Sequence, residues 1–165
     1  MEPTLNISDR VLVIKDKYIN IEYQVGDVVV FYNPNYSYDK STYQEFYNSL
    51  RVWNLNEQQL SIDTAFIKRV IGLEGDTITI NNNGEIYNDG ELIKIDNIYT
   101  NNHTKENVYS VPENSIFVLG DNRANSIDSR VYGFVSVDQI IGKAIYKIYP
   151  LNELGNINDW KEGME

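Results

Sequence analysis

Short apolar runs separated by polar turns dominate the chain. Val11-Leu12-Val13-Ile14 lies between Asp9-Arg10 and Lys15-Asp16, and Val28-Val29-Val30-Phe31 follows Gly26-Asp27. Runs this short and this rich in β-branched residues predict buried strands. Thr77-Ile78-Thr79-Ile80 alternates with period two. Asn83-Gly84 and Asp89-Gly90 are hairpin pairs that tolerate positive φ, and Glu85-Ile86-Tyr87 and Glu91-Leu92-Ile93-Lys94 lie between and after them, so residues 77–94 read as a β-meander. Ile116-Phe117-Val118-Leu119, closed by Gly120, predicts a further buried strand, and Lys143 to Tyr149, ended by Pro150, a last one.

One segment departs from this pattern. Residues 33–65 contain no Gly and carry four of the 13 Tyr. Thr42 and Glu45 stand at capping-box spacing, and Tyr43, Phe46, Tyr47 and Leu50 fall on one helical face. A short amphipathic helix inserted between strands is expected, as surface decoration or as a lid. Residues 95–110 are polar and Asn-rich and read as a loop; residues 151–165 read as a loose tail. The fold class is mainly β.

Composition narrows the chemistry. The 165 residues carry 14 Lys+Arg and 24 Asp+Glu, a formal charge of −10. So acidic a chain is not a general nucleic-acid binder, which needs basic surface to neutralise phosphates. Hydrophobic content of 42% and charged content of 23% suit a globular protein. With no Cys, thiolate catalysis, cysteine zinc sites and disulfides are excluded. The single histidine, His103, lies in a polar stretch and makes neither a triad nor a metal cluster. The chain has no run of about 18 apolar residues, the length needed to cross a membrane as a helix, and Met1-Glu2-Pro3-Thr4-Leu5 lacks the basic start and apolar stretch of a secretory signal.

Two segments carry candidate chemistry on their residues alone. In the strand-like Phe66-Ile67-Lys68-Arg69-Val70-Ile71, alternation puts Lys68 on one face with Phe66 and Val70. A lysine desolvated between apolar neighbours has its charged form disfavoured and can act as a general base; alternatively its stem is covered while the ammonium reaches water. Gly120-Asp121-Asn122-Arg123-Ala124-Asn125-Ser126-Ile127-Asp128-Ser129-Arg130, with Tyr132-Gly133 after it, offers two hydroxyls and a set of alternating charges suited to a rigid turn.

These two segments and Met1-Glu2-Pro3-Thr4-Leu5, in this order, resemble bacterial type I signal peptidase (leader peptidase). The family's motifs read Ser-Met-x-Pro-Thr-Leu, Lys-Arg-Val-Ile-Gly-x-x-Gly-Asp, and Gly-Asp-Asn-Arg-x-x-Ser-x-Asp-Ser-Arg followed by an aromatic and Gly. Ser8 to Val13 and Gly26 to Phe31 fit the same family. The resemblance covers residues 1–32 and 66–151 and leaves out 33–65.

The resemblance implies a signal-peptidase-type β-core of residues 1–32, 66–76 and 111–150, a β-rich cap of 77–110, and a partly helical insertion of 33–65. It implies a Ser-Lys dyad in which Lys68 is the base and the Ser126 hydroxyl hydrogen-bonds and orients its amine. Asp128 and Arg130 match a structural ion pair, Asp121 matches a partner for Arg69, and Met1, Leu5, Phe66 and Ile67 match positions lining the substrate subsites. The implied activity is removal of signal peptides from secreted precursors after small residues, without metal or cofactor, at the outer face of the bacterial cytoplasmic membrane. The implied partners are those precursors and the membrane surface, with no nucleic acid.

One departure matters. The family's nucleophilic serine stands immediately before the Met that is residue 1 here, and the family's membrane anchor lies upstream of it. The chain as given is therefore expected not to cleave by this mechanism. Two readings follow: the catalytic region of an anchored peptidase, or a non-cleaving relative that binds or chaperones precursors, for example in surface-fibre (pilus) assembly. The intact Lys68 and Ser126 favour the first. A self-cleaving repressor domain uses a related Ser-Lys β-fold, but motifs of the peptidase kind run through most of the chain.

Overall fold

A computed structural model of the protein describes residues 1–16, 21–34, 65–95, 98–99 and 105–157. The helix expected at 42–50, and His103, lie outside these residues.

Two antiparallel sheets make up the described structure. The larger contains β1 (Arg10–Lys15), β2 (Val28–Tyr32), β3 (Ala65–Gly72), β8 (Ser115–Leu119), β9 (Val135–Ser136) and β10 (Ile140–Tyr149). Their spatial order is β1-β10-β2-β3-β8-β9, and β11 (Gly155–Asn156) pairs with β10 off this path. The smaller sheet is the meander β4 (Thr77–Ile80), β5 (Ile86–Asn88) and β6 (Glu91–Leu92), joined by β7 (Asn107–Ser110) in the order β6-β5-β4-β7. A one-turn helix, α1 (Ser129–Tyr132), follows the loop after β8.

The central strands are buried because their β-branched runs face apolar layers on both sides. In β3 and β8, Ile71, Phe117 and Leu119 face a cluster shared with Ile78, Ile80 and Ile86 of the small sheet. Val70, Ile116 and Val118 face the opposite cluster with Val29, Phe31, Val135 and Ile140. The small sheet thus has no separate core; it closes one side of the large one.

The structure corrects two expectations. Within the expected loop 95–110, Asn107–Ser110 is a strand paired with β4. Its alternation is weak because it lies at a sheet edge, and Tyr109 is the inward residue, its ring centroid 4.7 Å from that of Phe117. The described part of the expected tail, residues 151–157, also packs down. Gly155 and Asn156 pair with Lys147 and Tyr146, and Ile157 is buried against Leu5, Val28 and Ala144.

Candidate active site

Lys68 is placed by the register of β3. Arg69 pairs with Leu119 and Val70 with Val118, so one step on, Lys68 stands opposite Gly120, just past the end of β8. Gly120 lies between two side chains. A Cβ there would overlap the Ser126 hydroxyl and come within 3.6 Å of Lys68 Cδ. Only glycine lets the lysine stem and Ser126 share this space.

The loop after β8 is fixed by its own charges. Asp128 Oδ2 accepts the Gly120 N–H at 3.0 Å, and its two oxygens take Arg130 Nε and Nη2 at 2.8 Å each. Asp128 also caps α1, accepting the Arg130 N–H. Arg123 Nε donates to the Gly120 carbonyl at 3.0 Å, so both polar groups of the Gly120 backbone are held. Ser129 Oγ accepts the Val118 N–H at 3.0 Å. The two serines therefore differ: Ser129 is bonded, whereas Ser126 Oγ is buried without a hydrogen-bond partner among the described residues.

A second network ties the N-terminal turn to this loop. Arg69 Nε and Nη2 form a bidentate pair with Asp121 at 2.9 and 2.8 Å, and Arg69 Nη1 donates to the Gly26 carbonyl at 2.8 Å. The Thr4 hydroxyl donates to Asp121 Oδ2, the oxygen that also accepts Arg69 Nη2. Leu5 N–H then closes a turn on the Met1 carbonyl at 3.0 Å. Sequence reasoning did not single out Thr4 for this role, although Thr4 lies inside the first motif.

The electrostatics of Lys68 follow from this setting. Burial lowers its pKa below the ordinary lysine value, against the opposing pull of Asp128 and Asp121. The α-amino group of Met1 is lowered by burial and by the charge of Lys68, while Asp121 and Glu2 pull it upward. The Met1 nitrogen is thus within electrostatic reach of the Lys68 amine.

The residues expected at the substrate subsites separate into two groups. Met1, Leu5 and Ile67 come together in one cluster with Val11, Val13 and Val28. Phe66 faces the other way and stacks on Tyr132 of α1, with centroids 6.1 Å apart and planes at 15°. The expected Ser126–lysine hydrogen bond is also absent. The Lys68 ammonium instead lies over the Phe66 ring, 5.8 Å from its centroid.

The site sits in a mainly antiparallel β protein and sets a desolvated lysine beside a buried serine hydroxyl; comparison with known proteins fixes the family. Residues 1–149 match the family described as "Signal peptidase, peptidase S26", and the chain belongs to it. It is 35% identical over 160 residues to a probable signal peptidase I-1 of Synechocystis, covering 97% of this chain and 72% of that one. It is 32% identical over 173 residues to signal peptidase I S of Bacillus subtilis, covering 96% and 77%. The crystal structure of a signal peptidase I from Enterococcus faecalis matches with a TM-score of 0.52 at 25% identity, over 74% of this chain and 97% of that one. Membership of this family supports the removal of signal peptides as the class of activity.

Proposed function

We propose that this chain is the catalytic region of a membrane-associated serine endopeptidase that removes signal peptides from secreted precursors. The observation that carries this reading is the position of Lys68: desolvated, opposite Gly120, and adjacent to Ser126. A lysine whose charged form is disfavoured is available as a base near neutral pH.

In this mechanism a serine attached to the Met1 nitrogen is the nucleophile. That nitrogen feels the charge of Lys68, which supports the assignment. The serine Oγ attacks the scissile carbonyl while Lys68 Nζ takes its proton. That proton passes to the leaving amine as the peptide bond breaks, and an acyl ester remains on the serine. Lys68 then takes a proton from water, whose oxygen attacks the ester, and returns it to the serine Oγ as the ester bond breaks and the product leaves with its new carboxyl end. Ser126 orients the amine once Lys68 turns its terminal torsions away from the Phe66 ring. Hydrogen bonds of this kind are often loose before substrate arrives.

Met1 and Ile67 line the substrate-facing surface, and the pairs Arg69–Asp121 and Arg130–Asp128 hold the two segments that meet there. An extended precursor adds as a strand, so main-chain bonds give affinity and small pockets give specificity. The site works at the outer surface of the cytoplasmic membrane, with the anchor in the part of the protein preceding Met1.

The test is to read the coding sequence upstream of Met1 and to express the protein with it. A serine codon there, with cleavage of a signal-peptide substrate that is lost in Lys68→Ala, is the expected result. Another residue at that position, with precursor bound but uncut, would establish a non-cleaving relative. Equal cleavage by the Lys68→Ala form would exclude the dyad.

A further inference from the structure

We infer that Tyr132 is a positioning residue for Lys68, acting through Phe66: it fixes the aromatic wall against which the lysine amine is kept from water. The inference rests on Lys68 being the base.

Three rings form one packed unit beside Lys68. Phe66 stacks on Tyr132, and Phe31 meets both edgewise, at 6.0 Å from Phe66 and 6.4 Å from Tyr132. Phe31 is fully buried in β2 and cannot move without disturbing the core. The Phe66 ring is thus fixed between a strand on one side and α1 on the other, and the Lys68 ammonium rests over it.

Tyr132 is itself precisely located by the chain. Asp128 caps the helix, and Gly133, at φ 85°, ends it one turn later with its N–H on the Ser129 carbonyl. The carboxylate that holds the Gly120 N–H therefore also sets the turn that delivers Tyr132 to Phe66. The Tyr132 hydroxyl is buried and has no hydrogen-bond partner, so nothing in the described structure uses the oxygen. The ring is the working part.

Two effects of the wall on Lys68 oppose each other. The ring face favours the ammonium, while exclusion of water disfavours it. At 5.8 Å the ring contact lies near its outer limit of about 6 Å. Burial is the largest influence on Lys68, so desolvation wins. Removing the Tyr132 ring admits water and moves the lysine back toward its ordinary state. The other charges facing Lys68 are Asp121 and Asp128 from the loop after β8 and the Met1 α-amino group from the N-terminal turn. Both carboxylates are held in ion pairs, Asp121 by Arg69 and Asp128 by Arg130.

The experiment is an NMR titration of the whole chain labelled at the lysine ε-carbon, with the Lys68 signal identified by its loss in Lys68→Met. It needs no catalytic activity. Tyr132→Phe is expected to keep the parent midpoint and the ring-current shift of the Lys68 ε-protons. Tyr132→Leu is expected to raise the midpoint by roughly one pH unit and reduce the ring-current shift. Should Tyr132→Leu not fold, Tyr132→Met carries the same two readings with a longer side chain. A folded Leu or Met variant with both signals unchanged overturns the inference and leaves Lys68 as base intact. A parent midpoint in the ordinary lysine range overturns both.

Discussion

Asp121 and Arg69 form a bidentate pair from which water is excluded, their side chains 0% and 3% exposed, and Asp121 Oδ2 also accepts the Thr4 hydroxyl. One carboxylate thereby joins the N-terminal turn, β3 and the loop after β8. Removing one partner of such a pair leaves the other charge buried and uncompensated. Asp121→Asn is expected to destabilise the protein by roughly 3–5 kcal/mol. The half-exposed Glu153, paired with Lys147 at 3.4 Å, is a control: Glu153→Gln should change stability by less than about 1 kcal/mol. Urea unfolding of both variants checks this. A loss for Asp121→Asn no greater than the control's would show the pair is not holding these segments.

Gly120→Ala tests the close approach of Lys68 and Ser126. The added methyl overlaps the Ser126 hydroxyl and lies 2.7 Å from its Cβ. The loop cannot simply give way, because Asp128 and Arg123 hold the Gly120 backbone on both sides. Overpacking of this kind costs about 1–3 kcal/mol. In protein carrying the upstream serine, cleavage should fall far more than stability does, because Ser126 is pushed away from the lysine. A variant with full activity would mean that the spacing of the two side chains is not critical.

Much of this arrangement was legible in the sequence, and the losses have identifiable causes. Val28 to Tyr32 and Ser115 to Leu119 are continuous apolar runs because both of their faces are covered. Only half of β10 was legible: its start, Ile140-Ile141-Gly142, looks broken by glycine. Gly142 is there because the strand passes so close to Ile14 that a Cβ would overlap the backbone carbonyl. At the site, alternation correctly put Lys68 on the face of Phe66 and Val70, whose side chains share one cluster. The same rule places Phe66 and Ile67 on opposite faces of β3. The Thr4–Asp121 contact spans 117 residues and leaves no local signal. The proximity of Ser126 to Lys68 came from the family motifs, since it depends on the pairing of β3 with β8.

Lys68 gives the protein a pH dependence of definite sign. Its folded-state pKa is lowered from 10.5, chiefly by burial. Between the folded value and 10.5 the unfolded chain binds more protons, so stability rises with pH across that window. Below the folded value the penalty of burying the ammonium is felt in full. Lys68→Met is therefore expected to be more stable than the parent at neutral pH, with the advantage shrinking as pH approaches 10.5. Thermal unfolding of both forms at several pH values from 6 upward, roughly one unit apart, checks the trend. An advantage that grows with pH would contradict a lowered lysine.

Ser126 and Ser129 lie three residues apart and should respond oppositely to loss of the hydroxyl. Ser129 Oγ accepts the Val118 N–H in the core, so Ser129→Ala leaves a buried donor unsatisfied and should cost about 1–3 kcal/mol. Ser126 Oγ has no partner, so Ser126→Ala removes an unsatisfied polar atom and should leave stability within about 0.5 kcal/mol of the parent or slightly raise it. Under the proposed mechanism its effect falls on turnover. A hydroxyl that orients a general base contributes on the order of 10²-fold or more in rate, so Ser126→Ala in serine-bearing protein should be folded, stable and nearly inactive. Ser126→Thr, which keeps the hydroxyl, should recover part of the rate if the added methyl is tolerated. Denaturant unfolding and steady-state cleavage on the same samples separate the two serines. Should Ser126→Ala cleave at the parent rate, the lysine is oriented by some other group, and the Phe66 ring already beneath its ammonium is the first to test.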